Sequence, residues 1–250
     1  MLVRPVYLGN IGSVARVMKN FGFRRLRLVE PPRNYKDAEA RKMAVAAFDI
    51  LKEAEVFASL SDALKDVSFA VGTTSGQQRE NPPVPLRSIT SMMAERSDAL
   101  TAFVFGDERN GLSREELDRC HQVMTVPTSP DFAALNLAQA VAICAYELGM
   151  LVASTGTGAS AELTAFPTYS PGFGASSSKT SDSQAFPTGA LDDEIFEQLG
   201  VLFDQVEFSR SFNRENVLNE LRMFYQRAQP TSREAALLKG ALHSLNRNTR

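Results

Sequence analysis

Five short apolar runs rich in Val, Leu and Phe mark the first half of the chain: Val3 to Leu8, Leu26 to Val29, Phe69 to Thr73, Thr101 to Phe105 and Val123 to Val126. Between them the apolar positions recur at helical spacing. They predict helices at Ser13 to Phe21 ended by Gly22, Asp37 to Lys52 with an interruption, Ser61 to Lys65, Ser88 to Arg96 and Ser113 to Arg119. Ser113 followed by Glu116 has the form of a capping box, which marks the start of the last of these. A longer apolar helix, from Leu135 to about Val152, closes the region. Strands alternating with helices in this way predict a parallel α/β sheet.

The pattern breaks at 153–190, where eight Ser, six Thr, five Gly, seven Ala and three Pro fill 29 of 38 positions. This is the composition of a linker. Phe166, Tyr169, Phe173 and Phe186 are spaced through it, an arrangement that suits contact with a domain surface. Beyond it the pattern is wholly helical: Ile195, Leu199, Leu202 and Val206 share one face, as do Leu218, Leu221 and Tyr225, and Leu238, Leu242 and Leu245. Thr231 and Glu234 form a second capping box. The expected organisation is an α/β domain over 1–152, a linker over 153–190 and a small helical extension over 191–250.

Composition adds three constraints. The 250 residues are 44% hydrophobic and 22% charged, with no apolar run long enough to span a bilayer, so no membrane partner is expected. The start of the chain lacks the basic-then-apolar layout of a secretory signal, and two cysteines make no disulfide framework; the expectation is a cytoplasmic protein. The net charge of -2 conceals a gradient. Residues 1–42 hold ten Lys or Arg against three acids, a local +7, and residues 205–250 hold eight against four, a local +4. Such clusters suit phosphate, and also suit an ordinary solvated helix face.

Ordinary enzyme signatures are missing. Cys120 and His121 are adjacent, but Cys144 and His243 lie elsewhere, and no pair has zinc spacing, so no metal is expected. No Gly-x-Ser-x-Gly elbow, Walker loop or Gly-x-Gly-x-x-Gly follows a predicted strand. Three polar segments do follow predicted strands, where an open α/β sheet places its ligands. They are the glycine-rich stretch Gly9 to Gly22, containing Asn10, Arg16 and Lys19; Phe105-Gly106-Asp107-Glu108-Arg109-Asn110-Gly111-Leu112; and the Pro-bounded passage from Val126 to Ala140, containing Asn136.

Taken together, in this order and on these junctions, the three segments resemble the motifs of the SPOUT superfamily of RNA methyltransferases, in its TrmH-like branch: Asn-x-Gly-Ser-x-x-Arg, Phe-Gly-x-Glu-x-x-Gly-Leu and Ser-Leu-Asn-x-Ala. The resemblance covers about residues 3 to 150, and the linker and helical tail are similar to those of the TrmJ group. It implies a C-terminal trefoil knot in the α/β domain, an S-adenosyl-L-methionine pocket, a homodimer, and 2′-O-methylation of a ribose in the tRNA anticodon loop, at the cytidine or uridine of nucleotide 32. It further implies that Arg16, Asn10, Glu108 and Asn136 form the catalytic set, with Arg16 beside the target ribose. The cofactor contacts it implies are Thr73, Thr74, Ser75, Gly106, Val126, Ala133, Ala134 and Leu135.

Metal-free transfer of a methyl group to a hydroxyl needs in-line positioning and a home for developing negative charge. A guanidinium stays protonated at neutral pH, so Arg16 is assigned to phosphate positioning and alkoxide stabilisation. One position departs from the family pattern: Ala134 stands where the third motif carries Ser, and Thr128 or Ser129 is a candidate to supply the hydroxyl. Two other readings stay open. One is the same chemistry on ribosomal RNA; the other is a non-catalytic RNA-binding module on the same fold.

Overall fold

The computed structural model describes residues 1–75, 82–94, 100–155, 187–206, 213–228 and 230–248. Among the described residues seven strands run in chain order: β1 (Leu2–Val3), β2 (Arg27–Val29), β3 (Glu55–Phe57), β4 (Phe69–Thr73), β5 (Val84–Pro85), β6 (Thr101–Val104) and β7 (Gln122–Thr125). All pairings are parallel, in the orders β1-β2-β3 and β5-β7-β4-β6. A parallel bridge from Leu2 to Phe105, with Val3 N–H donating to Phe105 O at 2.8 Å, joins β1 to the end of β6.

Helices cover both faces. On one side lie α1 (Leu8–Asn20), α2 (Ala38–Ala44), α5 (Leu86–Ala94) and α7 (Leu137–Thr155), whose Ile11, Val14, Ala40, Ile89 and Val141 pack with Leu28, Phe69 and Val71. A 3-10 turn, Val45–Ala47, separates α2 from α3 (Phe48–Lys52), the interruption expected within 37–52. On the other side α4 (Leu60–Leu64) and α6 (Arg114–Asp118) bring Ala63, Leu64 and Leu117 against Val3, Val29, Ala70 and Val104. The Ser113–Glu116 capping box is present at the start of α6.

The first predicted strand needs correcting. It ends at Val3, and Leu8 already begins α1, so Gly9, Asn10 and Gly12 are helical rather than part of a turn leaving a strand. The small size of Gly12 serves helix packing: a Cβ there would lie 2.1 Å from the backbone oxygen of Ala40, so only glycine lets α1 approach α2 this closely.

The tail forms α8 (Gly189–Gln205), α9 (Arg214–Ala228) and α10 (Ser232–Asn248), with the Thr231–Glu234 box in place. Ile195, Phe196, Tyr225, Ala235 and Leu242 make its small core. The expected faces are partly rotated: Leu242 is buried as expected, but Val206, Leu238 and Leu245 are exposed, and α10 turns Ala235 inward beside Leu242. The bundle also docks on the α/β domain. Gly189 N–H donates to Val67 O at 2.8 Å, and buried Asp192 accepts from Tyr225 Oη at 2.8 Å while lying 3.2 Å from His121 Nε2. Residues 156–186, with the linker aromatics Phe166, Tyr169, Phe173 and Phe186, lie outside the described residues.

Candidate active site

The strand ends create the site. The chain leaves β4 at Thr73-Thr74-Ser75, β6 at Phe105–Leu112 and β7 at Val126 onward, all at the carboxyl edge of the sheet where parallel α/β folds hold ligands. These three segments wall one cavity of about 240 Å3. Its lining includes all eight residues expected to touch a cofactor: Thr73, Thr74, Ser75, Gly106, Val126, Ala133, Ala134 and Leu135.

Each wall has a local cause. Thr73 Oγ1 donates to Val104 O at 3.0 Å, tying the end of β4 to β6. In the second loop Asp107, buried, accepts at Oδ1 from the backbone N–H of Arg109 (2.9 Å) and Asn110 (2.7 Å), an Asx-type turn. The turn folds back so tightly that a Cβ on Gly106 would lie 2.0 Å from the carbonyl carbon of Gly111, which itself has φ of +70°. In the third, a 3-10 turn at Pro130–Phe132 leads to Ala133.

At the edge of the cavity a polar chain links the motifs. Asn136 Nδ2 donates to Asn10 Oδ1 at 3.0 Å, and Asn10 Nδ2 donates to Glu108 Oε1 at 2.8 Å. Glu108 also accepts from the backbone N–H of Val6 (2.8 Å) and Tyr7 (3.2 Å), just ahead of α1. Both of its oxygens are therefore engaged, and a carboxylate at a helix N-terminus is favourably placed. Its geometry is that of a group holding Asn10 and the start of α1, not of a free base.

Arg16 is not part of this chain. It is exposed, does not line the cavity, and stands six residues beyond Asn10, about 120° around the helix. The hydroxyls considered as substitutes for the motif-three serine are occupied: Thr128 Oγ1 donates to Ala133 O at 3.1 Å and Ser129 Oγ accepts from Asp131 N–H at 3.3 Å. Both hold the turn in shape.

Two supports were not visible in the sequence. Arg4, at φ of 47°, grips Glu116 with both Nη atoms and lies 3.7 Å from Asp107, so it anchors the second loop. Burial alone would raise the Glu116 carboxyl, but Arg4 and the Ser113 N–H outweigh it and hold the group below its usual range. Asp107 is the other: in the sequence it is one polar residue between Gly106 and Gly111, and the turn it holds appears only in the structure. Cys144 lines the inner wall, where burial pushes its thiol up to about 12, leaving it a small hydrophobe at neutral pH. Among the described residues no cluster of His, Cys, Asp or Glu is arranged to hold a metal ion; Cys120 Sγ donates to Glu116 O, and His121 is turned to Ala70 N–H and Asp192.

The local excess of +7 in residues 1–42 is partly internal. Arg4, Lys19, Arg25 and Arg27 are ion-paired, Arg27 being buried against Asp66, whereas Arg16, Arg33 and Lys42 are exposed. In the tail Arg222 pairs with Asp193, Arg214 with Asp204 and Lys239 with Glu194.

A parallel sheet with three strand-end loops closing on one cavity is the layout of a SPOUT-type methyltransferase. The SpoU rRNA Methylase family model matches residues 1–146, and the chain belongs to that family. It is 32% identical to the tRNA (cytidine/uridine-2′-O-)-methyltransferase TrmJ of Salmonella choleraesuis (strain SC-B67), the match covering 100% of this chain and 96% of that protein. The crystal structure of TrmJ from Z. mobilis ZM4 aligns with a TM-score of 0.77 at 26% identity, over 98% of this chain and 96% of that one. A probable methyltransferase from Bordetella pertussis Tohama I aligns at 32% identity with a TM-score of 0.58, covering 60% of this chain and 93% of its own.

Proposed function

We propose that this chain is an S-adenosyl-L-methionine-dependent tRNA ribose 2′-O-methyltransferase, acting in the anticodon loop at the cytidine or uridine of nucleotide 32. The observation that carries the reading is the convergence of three separate motif loops on one cavity, with the Asn136–Asn10–Glu108 chain at its edge. The full-length likeness to TrmJ, tail included, favours tRNA over ribosomal RNA.

The cavity suits the cofactor. Phe105, Met124, Leu135 and Leu137 offer apolar walls for a purine, while the backbone of Thr73–Ser75, Gly106 and Ala133–Leu135 offers polar groups for ring edges and hydroxyls. Bound there, S-adenosyl-L-methionine supplies an electrophilic methyl group on its sulfonium. The S–CH3 bond would break as the 2′-oxygen takes the methyl, leaving a neutral thioether, and the hydroxyl proton would pass to solvent. Asn10, held by Glu108 and Asn136, presents a fixed amide beside the cavity, and Arg16 supplies positive charge to a phosphate and to the nascent alkoxide.

The same proposal includes a homodimer. Ile143, Tyr146 and Met150 are exposed on one face of α7, and Val6 and Tyr7 are exposed ahead of α1, an apolar surface suited to a second copy. Because Arg16 does not reach the cavity of its own chain, a neighbouring copy gives it a site to complete. The assignment also carries the trefoil knot in the α/β domain, and the division into 1–152, 153–190 and 191–250. Cytoplasmic location follows from action on tRNA, and no described helix is long and apolar enough to cross a membrane.

Methyl transfer from labelled cofactor to purified tRNA and rRNA tests the reading, with the product mapped by nucleoside mass spectrometry. One new 2′-O-methyl nucleoside in tRNA is expected at nucleotide 32. Label in rRNA alone, or none with bound cofactor, would favour one of the two other readings.

A further inference from the structure

The rim of the motif cavity carries two side chains that the polar chain leaves unused. Phe132 is 80% exposed, the most exposed large apolar side chain among the described residues. It is nonetheless held firmly: its backbone N–H donates to Ser129 O at 3.1 Å, Pro130 begins the turn, and the Thr128 hydroxyl ties down Ala133 next to it. Phe132 directly precedes Ala133, Ala134 and Leu135, which wall the cavity. Arg109 lines the same cavity from the second loop. Its backbone is pinned by Asp107, its side chain is exposed, and its guanidinium has no hydrogen bond or ion pair among the described residues.

A rigid turn that exposes an aromatic ring forgoes burial, and a loop that holds a guanidinium free forgoes an ion pair. Both are explained by one ligand. Bases of single-stranded RNA loops are unstacked and taken up on aromatic faces, while arginine matches phosphate oxygens with a planar fork. We propose that Phe132 and Arg109 form a seat for one unstacked nucleotide of the RNA loop, next to the methylated one: the ring stacks on its base and the guanidinium holds its phosphate. The division of labour follows the charges. The exposed carboxylate of Asp131 keeps phosphate away from the ring, and Glu108, saturated by three N–H donors, leaves Arg109 free to take it. The seat rests on the reading of this chain as an RNA ribose methyltransferase and adds to it a determinant of which loop is accepted.

Full-length F132A, F132L, F132W and R109Q would be compared with the unaltered protein in methyl transfer to a tRNA transcript. An anticodon stem-loop carrying 2-aminopurine beside the target nucleotide would be titrated separately. Loss of stacking is expected to raise the KM for tRNA roughly tenfold in F132A and equally in F132L, with F132W within about twofold of normal. R109Q is expected to raise KM and to flatten the salt dependence by about one phosphate, near 0.7 in log-log slope for a single strand. Cofactor affinity by calorimetry should hold in the three Phe132 variants, because Phe132 does not line the cavity. 2-Aminopurine fluorescence should be quenched by the unaltered protein and F132W, and less by F132A. Unchanged KM in F132L, or altered sedimentation of F132A showing that Phe132 meets a second copy, would overturn the seat. The titration is independent of turnover. Quenching without methyl transfer would support the seat and sink the enzyme reading; transfer without Phe132-dependent quenching would do the reverse.

Discussion

Asn10 and Glu108, 98 positions apart in the chain, are joined by a 2.8 Å hydrogen bond that locks the first motif to the second. The same carboxylate receives Val6 and Tyr7 N–H, so one side chain fixes both the start of α1 and the Asn10 amide. Glu108→Gln removes the charge and one acceptor. It is expected to cost about 1.5–3 kcal/mol of stability, measured by urea unfolding, and to lower kcat more than it raises the KM for cofactor. If stability were untouched, the carboxylate would not be holding the helix.

Arg16 separates chemistry from cofactor binding. Arg16→Ala is expected to lose most methyl transfer, at least a hundredfold on the scale of one lost charge-stabilising donor, while calorimetric affinity for the cofactor stays within about twofold. Arg16→Lys should recover only part of the rate, because a point charge does not reproduce the planar fork. Near-normal turnover of the alanine variant would remove Arg16 from the mechanism.

Gly12 tests how the site depends on helix packing. An alanine methyl would meet the Ala40 backbone oxygen at 2.1 Å, where no flexible side chain can give way. Alanine's better helix propensity, about 1 kcal/mol, is outweighed by forcing α1 from α2, for a net loss of roughly 1–3 kcal/mol by thermal or urea melts. Asn10 lies two residues away, so turnover should fall as well. A variant as stable as the parent would show that α2 moves freely.

The Arg4–Glu116 pair gives a pH dependence of definite sign. Glu116 has a folded pKa below its usual 4.5, so its contribution is fully present above that value and fades as pH falls through the lower folded one. Glu116→Gln keeps a capping side chain but not the charge. The stability gap between parent and variant is therefore expected to be constant near neutrality and to close on acidification below about 4.5. A gap that widened in acid would contradict the pairing.

How much of this could be read from the chain depends on where each element sits in the sheet. Phe69, Ala70 and Val71 of β4 are fully buried, flanked by β6 and β7, and so form an unbroken apolar run that stands out in the sequence. The strands left unread, β3 and β5, are the two outer ones. β3 pairs only with β2 and leaves Val56 half exposed, and β5 is two residues long, so neither carries a two-sided apolar signal. Motif one was misassigned for a related reason: Gly9 and Gly12 signal a turn locally, but the small size of Gly12 is required by Ala40 of α2, some thirty residues on. The cavity lining was legible because the motifs carry it residue by residue. Arg4 was not, since its worth lies in Glu116 and Asp107, more than a hundred positions away.

The position of β6 between β1 and β4 has a consequence for how the chain is born. As the ribosome releases the N-terminal part, β1 can pair with β2, but its other edge must wait for Phe105, about a hundred residues later. At ordinary translation speeds that is roughly 5 to 20 s during which an open strand edge faces solvent. Glu108 arrives in the same stretch, so the edge is closed and α1 is pinned almost together. A ribosome stalled before residue 105 would leave that edge unpaired, and its product prone to pairing with its neighbours.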